Sequence, residues 1–317
     1  MKFNVIWCYG LALLAFFMLT SCGASPAQPT ALKIGLLPIL DVLPLYVAHD
    51  KGYFEAEGIK VELVPAKSAQ EQTAMLQAGE IDGSVTDLQT IIIFNRETPQ
   101  LKVIALARRP YPDAPHFRLI AAPGFKVSSP TDLAGVPIGV GQNTITEYLT
   151  LRFLTAWGLP ADQIAWQEVS AIPVRFEMLM QGQLKAALLP EPMGAAAIAG
   201  GGSLIVDDTT IPQFSQSILA FTTNALKDKP DAIRAFMRAW NKAAADINQN
   251  PNTFRNVLID NTRVPPSIQG SFNVPQFPVN EITTEAQWAD VLQWAQEKKL
   301  VEQPVSYDQS VDKSFVQ

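Results

Sequence analysis

Cysteine is almost missing from this sequence. Two occur in 317 residues, Cys8 and Cys22, and both precede the region that reads as a folded body. That body therefore has no thiol for a disulfide, a Cys nucleophile or a thiolate metal site. Histidine is as scarce, with only His49 and His116. A three-histidine metal centre is excluded, and a Ser-His-Asp triad would have to use one of these two. Basic clusters are lacking too. Lys and Arg number 24 against 30 acidic residues, and no basic run exceeds Arg108–Arg109 or Lys298–Lys299. A nucleic-acid binder shows a basic stripe, so no nucleic-acid partner is expected. No GxSxG, Walker loop or CxxC occurs, and Gly139-Val-Gly141-Gln-Asn falls short of the GxGxxG dinucleotide pattern. The expectation is binding without chemistry: no catalytic residue, no cofactor and no metal.

What is present is apolar. Hydrophobic residues make up 48% and charged ones 17%, which supports a sizeable core and excludes wholesale disorder. The start is set apart from the rest. Lys2 precedes an apolar stretch from Val5 to Leu19, too short for a membrane-spanning helix but suited to a signal-peptide core. It runs into Leu19-Thr20-Ser21-Cys22, which resembles the bacterial lipoprotein signal, in which the cysteine is acylated and the chain cut before it. Residues 1–21 then read as signal peptide, Cys22 as the lipidation site, and 22–31 as a small-residue, Pro-interrupted tether.

From Leu32 strand and helix patterns alternate. Lys33–Leu37, Ile59–Val64, Ile81–Val85 and Leu101–Ala107 read as strands, and Ser68-Ala-Gln-Glu71 as a capping box opening a helix that ends at Gly79. A second series follows, with strands at Phe117–Ala121, Val136–Val140 and Ile164–Val169. Its helices are Thr144–Trp157 and Val174–Gln181, and Ser129-Pro130 reads as a cap and first helical residue. Leu76-Gln-Ala-Gly79-Glu-Ile-Asp-Gly recurs as Leu179-Met-Gln-Gly182-Gln-Leu-Lys-Ala, 103 residues on. Such an order predicts α/β units with mainly parallel sheets, built twice.

Two connectors separate the series, Arg108–Pro115 and Thr209–Phe214. The strand Ile218–Thr222 and two amphipathic helices, Asp231–Ile247 and Thr284–Glu297, come after them. Lobe one is expected at 32–110 plus 215–317 and lobe two at 111–214, joined by a two-crossing hinge around a cleft.

At this point the sequence resembles a family. LKIGLLPILDVLPLYVAHDKGYFEAEGIKVELVPA, LQAGEIDGSVTDL, Pro-Thr-Asp-Leu-Ala-Gly (130–135) and LLPEP occur in order. They are similar to the solute-binding proteins of ABC importers, in the branch taking nitrate, taurine, sulfonates, thiamine-pyrimidine precursors and riboflavin. The resemblance implies a two-lobed periplasmic-binding-protein fold and an extracytoplasmic location. It also implies partnership with an ABC permease and its ATPase, a lipid-anchored monomer, and import of a small solute. Fungal members are enzymes with a histidine and a cysteine-rich segment; without a body cysteine, that activity does not carry over.

In sheets of this class ligands sit at strand carboxyl ends and helix N-termini. The qualifying loops are Pro38–Pro44, Thr86–Leu88, Gly141–Thr144, Leu189–Pro192 and Phe214–Gln216. Three carry acids, Asp41, Asp87 and Glu191, and no Lys or Arg lies in the four nearest the cleft. Each acid also has a plain reading: Asp87 as N-cap of the helix after it, Glu191 as acceptor for a loop amide, Asp41 as a cap if the chain turns there. Asn143, Thr144 and Gln216 complete the polar candidates. Tyr148 and Phe214 are candidate stacking faces, with core packing the alternative for Tyr148. Arg108 and Arg109 read as a solvated hinge. Acids in a cleft repel nitrate or a sulfonate and suit ring donors, so the expected ligand is a neutral heterocycle, riboflavin first and a thiamine-pyrimidine precursor second; the alternatives are an anion such as a sulfonate or nitrate within the family and a periplasmic enzyme outside it.

Overall fold

The computed structural model describes residues 30–262 and 264–316. The signal segment, Cys22 and most of the tether lie outside the described residues. Ten strands form two five-stranded sheets. The first contains β1 (Thr30–Leu36), β2 (Ile59–Pro65), β3 (Gly83–Thr86), β4 (Leu101–Arg108) and β10 (Ser217–Thr222), in the order β2-β1-β3-β10-β4. The second contains β5 (Phe117–Ala121), β6 (Pro137–Val140), β7 (Ala165–Glu168), β8 (Ala186–Pro190) and β9 (Ser203–Asp207), in the order β7-β6-β8-β5-β9.

Both sheets follow one plan. Three strands are parallel, β2-β1-β3 in one and β7-β6-β8 in the other. The fourth place is taken by an antiparallel strand that has just arrived from the other sheet: β10 between β3 and β4, β5 between β8 and β9. These are the two α/β lobes expected, with the chain passing between sheets twice.

The repeat extends further than the matched fragment. Helix Ala69–Gln77 corresponds to helix Ile172–Met180, and β3 to β8, at the same offset. Gly79 (φ 69°) and Gly182 (φ 71°) end the helices in the left-handed region that glycine occupies without a Cβ clash. Gly35 of β1 and Gly139 of β6 occupy corresponding places in their sheets, one residue off that offset. A Cβ on either would lie 2.5 Å from a side-chain carbon, of Ile81 or of Leu184. Each glycine lets the strand-connecting turn of its own lobe pack close.

Gly83 is a stricter case. A Cβ there would lie 2.6 Å from the carbonyl oxygen of Ala220 and 2.7 Å from the Phe221 ring. The neighbouring backbone belongs to β10, which is hydrogen-bonded to a strand on either side and has little room to give. Gly83→Ala is expected to lower stability by about 1–3 kcal/mol, read as a fall in the urea midpoint; an unchanged midpoint would show that β3 and β10 yield freely.

Helix Pro230–Gln249 buries Ile233, Phe236, Met237 and Trp240 in the first lobe's core, beside Leu32, Phe54 and Phe221. Helix Glu285–Glu297 packs on helix Leu88–Phe94. Its Trp288, Val291 and Trp294 join a cluster containing Leu88 and Ile91 from the first lobe and Tyr148 and Leu149 from the second. One apolar cluster therefore spans both lobes. One local expectation needs correcting, and one strand was missed. Ser129-Pro130 opens only a short 3-10 turn, Pro130–Leu133, with Ser129 and Asp132 as its capping box. Strand β9 was not foreseen: Ser-Leu-Ile-Val-Asp has no period-two alternation, and its first two residues, Ser203 and Leu204, are exposed.

Candidate functional site

The carboxyl ends of the parallel strands meet between the lobes. Leu37, Ile39 and Asp41 follow β1, Thr86 and Asp87 end β3, Gly141 and Thr144 follow β6, and Pro190 ends β8. Phe117 and Ser217, the first residues of the antiparallel strands, reach the same edge. Helices Leu88–Phe94 and Ile145–Ala156 begin there. The cleft is narrow. Its cavity volume is about 50 Å³.

Asp87 is buried within it. Its Oδ1 accepts the N–H of Thr90 at 2.7 Å, capping helix Leu88–Phe94, and its Oδ2 accepts the N–H of Ile145 at 3.4 Å. One carboxylate thus meets the N-termini of two helices from opposite lobes. Burial pushes its pKa up, against the lowering effect of the Thr90 and Ile145 bonds. The capping reading of Asp87 holds, and the residue lines the cleft as well. Thr144 caps helix Ile145–Ala156 through Thr146 N and donates from Oγ1 to Gly141 O at 2.6 Å.

The other acids are spoken for. Asp41 lines the cleft, but Nε2 of His116 lies 2.7 Å from its Oδ2 and Nη1 of Arg108 is 3.4 Å from its Oδ1. Burial alone would raise its pKa; the charges of His116 and Arg108 outweigh that and hold it at about 2. It caps no helix. Arg108 is buried rather than solvated, and its Nη2 also donates to Pro115 O at 2.9 Å. Arg109, by contrast, is part-exposed and pairs with Glu281 at 3.0 Å. Glu191 binds Arg118 and accepts the N–H of Ala195 at 3.1 Å. It lines a wider groove with Arg108 and Asn248 and is absent from the cleft lining.

Four more candidates fall outside the lining. Asn143, in the left-handed region at φ 60°, is exposed and accepts from Lys298 Nζ at 3.2 Å. Tyr148 is buried, its hydroxyl donating to Asp290 and its ring edge-on to Phe214 and Trp294. Burial, then the Asp290 bond, raises its pKa far above the usual phenol range. Phe214 packs against Tyr148 and under Arg152. Gln216 is buried, with Nε2 donating to Thr283 at 3.0 Å. The stacking faces expected for a tricyclic ring are therefore engaged elsewhere, and among the described residues Phe117 is the one aromatic lining the cleft.

A residue the loop reading passed over lines the cleft instead. Arg175, on the first turn of helix Ile172–Met180, is fully buried, and burial lowers its pKa to about 10, against the raising effect of Glu168. The repeat held a signal for it. At the same offset it matches Gln72, also buried, and both side chains pack on the paired glycines Gly139 and Gly35. Gln70, Thr146, Ser170 and Ser217 complete the polar lining.

Comparison with known proteins adds three likenesses. A formylaminopyrimidine-binding protein of Halalkalibacterium halodurans is 23% identical, over 92% of this chain and 94% of its own length. A riboflavin-binding protein of Chloroflexus aurantiacus is 24% identical, over 74% of this chain and 67% of its own. Among solved structures, the periplasmic aliphatic sulphonate binding protein SsuA of Escherichia coli superposes with a TM-score of 0.74 at 19% identity, over 90% of this chain and 92% of that one. The fold is thus that of periplasmic binding proteins, and the model of the family described as NMT1/THI5 like matches residues 40–254: the chain belongs to that family.

Proposed function

We propose that this protein is the extracytoplasmic substrate-binding subunit of an ABC importer, and that it captures a small neutral heterocycle of one ring. The importer role is supported by the family, by the binding proteins among its relatives, and by a cleft drawn from both lobes. Residues 32–110 with 215–317 act as one lobe and 111–214 as the other, the solute bridging them so that it favours the closed state. Cys22 carries a lipid anchor in this reading, on the strength of LTSC after the apolar stretch. No helix among the described residues is long and apolar enough to cross a membrane. The partners are a permease and its ATPase, and no chemistry on the solute is proposed.

One observation carries the ligand class. Asp87 stands between two helix N-termini, where an anion would otherwise be drawn. A nitrate or sulfonate held against Asp87 meets a carboxylate; unit charges about 4 Å apart repel by about 4 kcal/mol at an effective dielectric near 20, an effect opposed from the far wall by Arg175. A ring amine or amide N–H instead donates to it. The narrow cleft and Phe117, its single aromatic among the described residues, favour a pyrimidine over a flavin. The flavin-binding relative keeps riboflavin as the comparison ligand.

Titration calorimetry with a formylaminopyrimidine, riboflavin and taurine tests this. The pyrimidine is expected to bind and taurine not to compete. Asp87→Asn should keep the helix, since Asn caps as well as Asp, while weakening the pyrimidine at least about tenfold, or 1.4 kcal/mol. A strong taurine signal with no response to either heterocycle would overturn the ligand class and leave the importer role standing.

A further inference from the structure

Arg175 is a buried cation with no carboxylate in ion-pair contact among the described residues; Glu168 acts on it only from a distance. Its hydrogen bonds go to backbone carbonyls: Nε to Leu188 at 2.9 Å, and Nη1 to Val169 at 2.7 Å and Ser170 at 3.5 Å. These bonds clamp the planar group in one orientation. They use two of its three nitrogens, and Nη2 makes none of them. A neutral side chain of similar shape would satisfy the same packing without the cost of burying a charge, as Gln72 does at the matching place in the first lobe. Across the cleft, from the other lobe, stands Asp87.

We infer that Arg175 is a specificity-determining residue whose Nη2 holds a carbonyl oxygen of the solute, while Asp87 accepts an N–H from the same molecule. This rests on the proposed heterocycle reading and deepens it. The ligand class becomes a ring bearing an acyl oxygen and an amine-type donor at opposite ends, one read by each lobe. A solute with only one of these groups contacts one lobe's charge and leaves the other buried and unmet, so it is rejected. An acceptor held by a fixed guanidinium and a donor held by a carboxylate both form charge-assisted bonds, the strong kind.

The test pairs a change in the ligand with a change in the protein. A formylaminopyrimidine and the same aminopyrimidine without its formyl group are titrated into the parent and into Arg175→Lys. In the parent, loss of the formyl group should weaken binding about tenfold to a hundredfold. In Arg175→Lys the two compounds should bind within about threefold of each other. An equal penalty in both proteins overturns the assignment, because a residue that merely supports the fold does not distinguish the formyl oxygen.

Should the variant fail to fold, the parent labelled with [15N]arginine answers instead. Arg175 is the one arginine lining the cleft among the described residues. One Nε–H resonance should move with the formylated compound and stay put with the other; no such difference overturns the inference. Ethanesulfonate separates the two readings. If it binds and neither pyrimidine does, the heterocycle reading falls. Arg175 then stands as an oxygen anchor only if Arg175→Lys loses the sulfonate, and is overturned if it does not.

Discussion

Replacing Asp41 with Asn is expected to lower folding stability by about 3–5 kcal/mol, the usual effect of removing one member of a buried ion pair. The carboxylate answers two groups at once, Arg108 at the end of β4 and His116 just before β5. All three side chains are buried, so water cannot take over for the missing charge. The pH dependence has a definite sign. The folded-state pKa of Asp41 is held at about 2, below the ordinary 3.8, so the native state binds this proton less tightly than the unfolded chain. Its contribution, about 2 kcal/mol on this depression, is complete above pH 4 and is lost as pH falls to 2. Urea unfolding of parent and variant should therefore differ most near neutrality and converge between pH 4 and 2. A difference below about 1 kcal/mol at pH 7 would mean that Arg108 is satisfied by Pro115 alone.

That network shows where the sequence was readable and where it was not. Strands, helix caps and the repeat were open to inspection because their signals are local: Ser68 with Glu71, Asp87 with Thr90, Gly79 with the turn it closes. The cleft loops were legible for a related reason, since parallel strand ends must converge in such a sheet. Side-chain roles inside the loops depend on partners far along the chain. Asp41 meets His116 at a separation of 75 residues, Glu191 meets Arg118 at 73, and Tyr148 meets Asp290 at 142. Nothing near Glu191 announces Arg118, so an acid at a strand end looks free when it is paired. Arg175 was missed from the opposite side. It sits on a helix rather than in a strand-end loop, and only the reach of a long side chain brings it to the cleft.

Asp208 is the second residue on which a large effect is expected. It is fully buried in the return crossing, and it holds the outward crossing by two backbone groups: His116 N at 2.9 Å and Phe117 N at 3.0 Å. The hydroxyl of Ser215, in its own crossing, donates to it at 2.5 Å. One carboxylate therefore ties together both strands of chain that join the lobes. Asp208→Ala leaves two buried N–H groups without acceptors, each worth about 1–3 kcal/mol, so a loss of about 2–6 kcal/mol is expected. Asp208→Asn keeps one acceptor oxygen and should lose roughly half as much. The pH trend runs opposite to that of Asp41. Burial raises the Asp208 pKa, against the opposing charge of His116, so the folded state binds this proton more tightly and the parent gains stability as pH falls towards 4. The gap between parent and Asp208→Ala should widen over that range, whereas the Asp41 gap narrows only below it. Proteolysis adds a structural readout, with new cleavage expected within 109–116 or 208–216, the segments freed from each other. Equal, small losses in the Ala and Asn variants, with the crossings still protected, would show that the lobes are joined by their shared apolar cluster around Tyr148 and Trp294 rather than by this carboxylate.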